Sequence, residues 1–292
     1  MNSTIRVVLL GSNGMLGREI IDFFKPKLGE NFFSFNKNEC EITSKEDIQR
    51  IFEEIKPTHV INAAGFTNVD ECENNKLSCL KVNGEANELI AKEAAKYDAA
   101  VIYISTDYVF NGENKNGYNE DDSPAPINAY GKSKLLGEEL IKKNTDKFYI
   151  IRTSWLFSKY GKNFVKTMIK IAKEKLAEDE NSSLKVVDDQ IGCPTYAKDL
   201  AKAIFNLIQN KNEFGIYHIS NTSKGKNENG ISWFEFAKKI FQFTEIPIKL
   251  EPITSEEINR KAQRPKFSIL LNNKLPNLRN YEEALEELTP LL

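Results

Sequence analysis

Short runs of β-branched and aliphatic residues alternate with segments of helical periodicity through the first half of the chain. Arg6–Leu10, Phe32–Phe35, His59–Asn62, Ala100–Ile104 and Phe148–Arg152 read as strands, and Met15–Phe24, Ser44–Ile55, Asn83–Lys96 and Asn128–Lys143 between them read as helices. Strands that are apolar throughout need cover on both faces, so the pattern predicts an α/β fold: a doubly wound parallel sheet flanked by helices. Beyond Trp155 the rhythm loosens. Helices are predicted at Asn163–Lys175, Ala197–Gln209 and Ser232–Phe243, the last opened by Ser232 and Glu235 at capping-box spacing. This half is expected to return some segments to the sheet. The rest should form a smaller, discontinuous lobe over the C-terminal edge of the strands, where open α/β sheets bind ligands. The expected division is 1–153 for a nucleotide-binding domain carrying the core strands, and 154–292 mainly for a substrate lobe. Ser223–Gly230 is polar and predicts a solvated loop.

Composition narrows the function classes. The 292 residues carry 40 basic and 42 acidic side chains, a net charge of −2, so no basic surplus draws the chain to nucleic acid or an anionic membrane. Met1-Asn2-Ser3-Thr4 runs directly into a strand without a basic segment or a long apolar one, and the expected location is cytoplasmic. Cys40, Cys72, Cys79 and Cys193 form no Cys-x-x-Cys pair and read as ordinary thiols. Only His59 and His218 are present, both among apolar residues, which leaves little for a His-ligated zinc site or a Ser-His-Asp triad. Acid–base chemistry must come from Tyr, Lys, Asp, Glu or a cofactor.

Directly after the first strand, Gly11-Ser-Asn13-Gly14-Met15-Leu16-Gly17 runs into a helix. Without side chains in the way, backbone amides and the helix N-terminus can approach a pyrophosphate, so the pattern points to a Rossmann-type dinucleotide site. At the end of strand two, Asn36 and Lys37 replace the acidic ribose ligand usual there. A lysine neutralises a 2′-phosphate, which favours NADP(H) over NAD(H). Tyr130-Gly-Lys-Ser-Lys134 opens a predicted helix and puts a phenol and an ammonium on one face, and Ser105-Thr106-Asp107 ends strand four, where a hydroxyl can meet the same ligand. An ammonium beside a phenol favours its phenolate.

These motifs, in this order, resemble the extended short-chain dehydrogenase/reductase superfamily. Longer stretches narrow the resemblance: Asn62–Asp70, Ser105–Phe110, Tyr130–Glu138, Arg152–Phe157, Gly161–Phe164, Asp189–Thr195 and Gln263–Pro265. Together they look like the dTDP-4-dehydrorhamnose reductase family, over nearly the whole chain. The resemblance implies NAD(P)H-dependent reduction of the 4-keto group of dTDP-4-dehydro-L-rhamnose, the last step in making dTDP-L-rhamnose. It implies Tyr130 as the general acid, Lys134 lowering the Tyr130 pKa and holding the nicotinamide ribose, and Thr106 polarising the carbonyl.

Carried over by position, Gly11, Asn13, Gly14, Met15, Leu16, Gly17, Asn36, Lys37, Glu41, Ile42, Ala63, Ala64, Gly65, Asn83 and Ser105 would join Tyr130 and Lys134 around the cofactor. Thr67, Val69, Asp107, Trp155, Asn163, Gln190 and Arg264 would join Thr106 and Tyr130 around the sugar nucleotide, with Arg264 on the diphosphate. Phe66 stands where relatives often have Tyr or His, and Glu41 where Asp is usual. Some family members dimerise around magnesium held by glutamates; the resemblance leaves a homodimer and a magnesium at its interface open, and no residue is assigned to the metal. The rival readings are a reductase or epimerase on another nucleotide sugar, and a regulatory subunit that keeps the fold without catalysis. Tyr108 stands where dehydratases of the superfamily carry Glu, which argues against dehydration.

Overall fold

The computed structural model describes residues 4–223, 225 and 229–292; residues 1–3 and, within the polar stretch 223–230, residues 224 and 226–228 lie outside the described residues. Five strands form along the first half: β1 (Val7–Leu10), β2 (Phe32–Phe35), β3 (His59–Asn62), β4 (Ala100–Thr106) and β5 (Phe148–Thr153). The second half adds β6 (Leu156–Phe157), β7 (Ser183–Val187), β8 (Ile191–Gly192), β9 (Thr195–Tyr196), β10 (Gly215–His218), β11 (Ile231–Ser232) and β12 (Lys249–Ile253). The main sheet is parallel throughout, in the order β10-β5-β4-β3-β1-β2. The order in which strands are added reverses at β1, with β2 on one side and β3 on the other, the switch point at which such sheets open a ligand crevice.

The apolar strands are sandwiched as their pattern requires. Val7, Leu9, Ile61, Ile102 and Ile151 face one core with α1 (Met15–Leu28), while Val8, Leu10, Val60, Val101 and Ile150 face another with α2 (Lys45–Ile55). On this second side, α3 (Val69–Asn74), α4 (Lys76–Leu80), a π-helical turn at Lys81–Glu85 and α5 (Ala86–Lys96) lead back to β4, and α6 (Ala129–Asn144) lies against α5. Asn128 caps α6 by accepting from the Gly131 amide at 2.8 Å, which fixes where Tyr130 starts the helix.

Beyond β5, α7 (Phe164–Glu178), α8 (Ala197–Gln209), α9 (Trp233–Thr244) and α10 (Tyr281–Leu288) complete the molecule. The expected capping box at Ser232 and Glu235 is present. Here α8 packs on the main sheet, whereas α7, α9 and α10 enclose a separate aromatic core around Phe157, Phe236 and Tyr281. The sheets on this side have only two strands each. Helix α10 follows the Asn280 cap, whose side chain accepts from the Glu282 amide. Its acidic first turn and Tyr-Glu-Glu-Ala-Leu-Glu-Glu-Leu pattern carry the signal for a helix that the sequence reading passed over. No helix of the described residues is long and apolar enough to cross a membrane.

One expectation is corrected. Cys72 and Cys79 are not ordinary thiols but are joined in a disulfide with Cα atoms 5.5 Å apart. Seven residues of continuous helix would separate them by about 10 Å. The chain breaks between α3 and α4 at Asn75, and the turn brings the two sulfurs together. Cys40 and Cys193 are free and buried. His218 is wholly buried with Nδ1 against the carbonyls of Tyr118 and Leu271, and burial lowers its pKa to about 3, so it is a neutral packed imidazole.

Candidate active site

A cleft of about 810 Å³ opens over the C-terminal ends of β1, β3, β4 and β5. Its floor at one end is the glycine loop. Gly11 adopts φ +86°, and a Cβ there would stand 2.5 Å from the Ala64 amide nitrogen, so glycine is required both by conformation and by close approach. Gly14 precedes α1 without a side-chain cap, and the first turn of α1 carries no acidic residue. Its amides are therefore free for an anion, with no negative charge nearby to oppose one. Asn13, Gly14, Met15, Leu16, Asn36, Lys37, Glu41 and Ile42 line this end, with Ala63, Ala64 and Gly65 following from the end of β3. Lys37 reaches Glu41 at 3.5 Å in an exposed pair.

Ser105, Thr106, Asp107, Tyr130 and Lys134 line the other end. Tyr130, Lys134 and Glu138 follow at four-residue spacing, one face of α6, and Glu138 anchors that face. Its carboxylate accepts from Arg152 Nε at 3.0 Å and Nη2 at 2.7 Å, and from the Ser105 hydroxyl at 2.5 Å, all three residues buried. Helix α6 is thereby locked to β4 and β5 directly behind Thr106, Tyr130 and Lys134. Lys134 Nζ sits 4.2 Å from the centre of the Tyr103 ring, and Tyr103 donates to the Asn83 carbonyl at 2.8 Å. Asn83, on the π-helical turn, grips the Phe66 backbone from both sides: its Oδ1 accepts from the amide at 2.8 Å and its Nδ2 donates to the carbonyl at 2.9 Å. A π turn spends helical regularity to aim one side chain, a pattern common at functional sites.

Burial dominates the electrostatics here. It pushes Tyr130 up to about 12, with the Thr106 hydroxyl pulling the other way, and it lowers Lys134 to about 7 against the pull of Glu138. The expected lowering of the Tyr130 pKa by Lys134 is not what the structure gives. The ammonium lies over Tyr103, and the phenol keeps its proton at neutral pH. Asp107 is pushed up to about 7, again by burial.

Thr67 and Trp155, read from the sequence as substrate contacts, also line the cleft. Trp155 adopts φ +49°, a left-handed conformation uncommon for a bulky residue, and stacks on Trp233 with ring centres 3.5 Å apart and planes 8° from parallel. Six residues read as binding groups stand behind the lining. Gly17 packs on the Gly11 carbonyl, and Asn83 holds the Phe66 backbone. Val69 begins α3, and Gln190 is buried. Asn163 caps α7 and donates to the Ser158 carbonyl at 2.8 Å. Arg264 forms a bidentate pair with Asp70 at 2.8 and 2.6 Å, and its guanidinium holds Asp70 down to about 2.

The sequence reading missed Thr153, Ser154, Leu156, Gly161 and Lys162, which also line the cleft. Gly161 at φ +63° brings its loop against Met15 across 146 positions of sequence, a proximity no local pattern announces.

The family model described as RmlD substrate binding domain matches residues 5–290. The chain is 38% identical over 287 residues to the spore coat polysaccharide biosynthesis protein SpsK of Bacillus subtilis, covering 97% of this chain and 96% of that one. It is 34% identical to a dTDP-4-dehydrorhamnose reductase of Aggregatibacter actinomycetemcomitans, covering 91% and 90%. Among solved structures, dTDP-4-dehydrorhamnose reductase of Bacillus anthracis in complex with NADP superposes with a TM-score of 0.91 at 38% identity, covering 99% of this chain and all of that one. Because the match runs unbroken through both the sheet and the lobe above it, the chain belongs to the dTDP-4-dehydrorhamnose reductase family.

Proposed function

We propose that the chain reduces the 4-keto group of dTDP-4-dehydro-L-rhamnose to dTDP-L-rhamnose with a reduced nicotinamide dinucleotide, NADPH in preference to NADH. The observation that carries this is the convergence of Thr106, Tyr130 and Lys134 on one end of a cleft whose other end is the glycine loop. The names of the relatives supply the substrate, and the NADP of the Bacillus anthracis structure supports the cofactor.

The residues present fit a dinucleotide. Gly11 and Gly14 clear the backbone for a pyrophosphate, and Lys37 is the cation at the end of β2 that a 2′-phosphate would recruit from Glu41. Ser105, Lys134 and the Ala63–Gly65 segment would hold the remainder. The nicotinamide, when bound, supplies the hydride. Tyr130 holds its proton at neutral pH and gives it to the C4 oxygen, which on reduction becomes an alkoxide more basic than a phenolate. Lys134 holds the nicotinamide ribose hydroxyls, and Thr106 donates a hydrogen bond to the carbonyl oxygen. Residues 1–153 serve as the dinucleotide half. Residues 154–292 bring Trp155 over the cleft and, with Thr67, shape the sugar side.

Absorbance of reduced nicotinamide, followed after adding enzymatically generated dTDP-4-dehydro-L-rhamnose, tests the reading with NADPH and NADH in separate runs. Rapid oxidation, faster with NADPH, is the expected result. A protein that binds the cofactor but oxidises none with this substrate would refute the assignment.

A further inference from the structure

Thr106 has a single hydroxyl proton, and both Asp107 and Tyr130 stand within its reach. Oγ1 donates to Asp107 Oδ1 at 2.9 Å and accepts from the Tyr108 amide at 3.2 Å. A hydroxyl engaged in this way cannot also donate to a substrate carbonyl. The chemistry proposed for Thr106 therefore needs its bond to Asp107 reversed. We propose that Asp107 is a positioning residue that works in its neutral form: its own O–H donates to Thr106 Oγ1 and frees the Thr106 hydroxyl for the carbonyl being reduced. The inference rests on the reading of Thr106 as donor to the substrate. It adds no proton to the balance, because Tyr130 still supplies the one transferred.

Three features of the site favour a neutral carboxyl. Asp107 is buried, and no hydrogen bond of good geometry reaches its Oδ2 among the described residues, a costly state for a carboxylate and a milder one for a carboxylic acid. The titratable groups that face it raise its proton affinity or leave it unchanged. Tyr108 adjoins it, Tyr130 faces it from α6 and Cys193 from the segment between β8 and β9. The arginines nearby are turned elsewhere: Arg264 is spent on Asp70, and Arg260 and Arg264 both face Tyr108. Lys134 lies over Tyr103. The groups that favour the anion are neutral ones, the Ser268 and Thr106 hydroxyls and nearby amides, and burial outweighs them. The sign follows directly. Below the carboxyl pKa the Thr106 hydroxyl is free to serve the substrate, and above it the carboxylate reclaims that hydroxyl and turnover falls.

The test compares kcat for Asp107→Asn with that of the wild type from about pH 6 to about pH 9.5, using NADPH and dTDP-4-dehydro-L-rhamnose. The Asn amide donates to Thr106 at every pH. Losses common to both enzymes, such as deprotonation of Lys134, cancel in the ratio. The expected ratio is flat in acid and rises about tenfold per pH unit above the carboxyl pKa. In a Thr106→Val background, residual turnover should give a ratio that stays flat throughout. A flat ratio with Thr106 present, or the same rise without it, overturns the proposal while leaving the reductase reading intact. A wild type with no turnover defeats the reductase reading itself and the proposal with it. Should D107N fail to fold, infrared pH-difference spectra decide. The protonated-carboxyl band of the wild type must vanish on raising the pH and must shift in T106V, and a band unmoved by T106V overturns the proposal.

Discussion

At one end of the cleft Thr106, Asp107 and Lys134 are 5%, 2% and 5% exposed, while at the other the side chains of Lys37 and Glu41 meet in water at 83% and 36%. Each end carries an acid and a base, yet the two ends work differently. In the buried end the medium, more than the partner, sets proton affinity. Asp107 is raised and Lys134 lowered, each to about 7, so two groups that are firmly charged in water stand near neutrality. At the exposed end solvent screens the pair, which contributes about 0–1 kcal/mol and can be exchanged for another anion at little cost. The proposed chemistry belongs to the dry end, and the proposed choice of cofactor to the wet one.

Removing the phenol tests the dry end most severely. Tyr130→Phe should lower kcat by about 10²–10⁴-fold with cofactor affinity kept, as measured by steady-state kinetics and cofactor titration. Next comes the ion pair behind it. Arg152→Met leaves Glu138 buried without its cation and should cost about 3–5 kcal/mol in urea unfolding, whereas Arg152→Met with Glu138→Leu should recover most of that loss. Per pH unit, a smaller effect belongs to Lys134. Its folded pKa lies below the unfolded value, so between about pH 7 and about pH 10 the unfolded chain binds a proton that the folded one declines. Wild-type stability should rise across that window by at most about 1.4 kcal/mol per pH unit relative to Lys134→Met, read from denaturation midpoints. The wet end should yield least. Lys37→Ala should weaken NADPH binding severalfold, by about 1 kcal/mol, leave NADH almost unchanged, and lose its effect at high salt. Equal losses for both cofactors would break the contrast between the two ends.

Local pattern made the glycine loop, the five strands up to β5 and the start of α6 legible, because each is a continuous run whose partners lie in the next element. The Ser232 capping box was readable for the same reason. What stayed hidden depends on contacts between distant segments. Strand β10 joins the sheet next to β5 after two intervening helices, Arg264 finds Asp70 across 194 positions, and Gly161 reaches Met15. The Cys72–Cys79 bond needed the break at Asn75, which composition does not announce. The proton affinities of Asp107 and Lys134 were hidden too, since burial belongs to the assembled fold rather than to any motif.

The chain contains two tryptophans, and they are the pair stacked at the cleft. Every photon absorbed by indole in this protein is therefore absorbed beside the cleft. Near-parallel rings at 3.5 Å couple their transitions, and Trp155, held in a left-handed backbone conformation, lines the cleft while Trp233 backs it. Emission excited at the red edge, where only indole absorbs, thus carries a signal from one place alone, and the wild-type chain comes with its own optical probe of the cleft, no label attached.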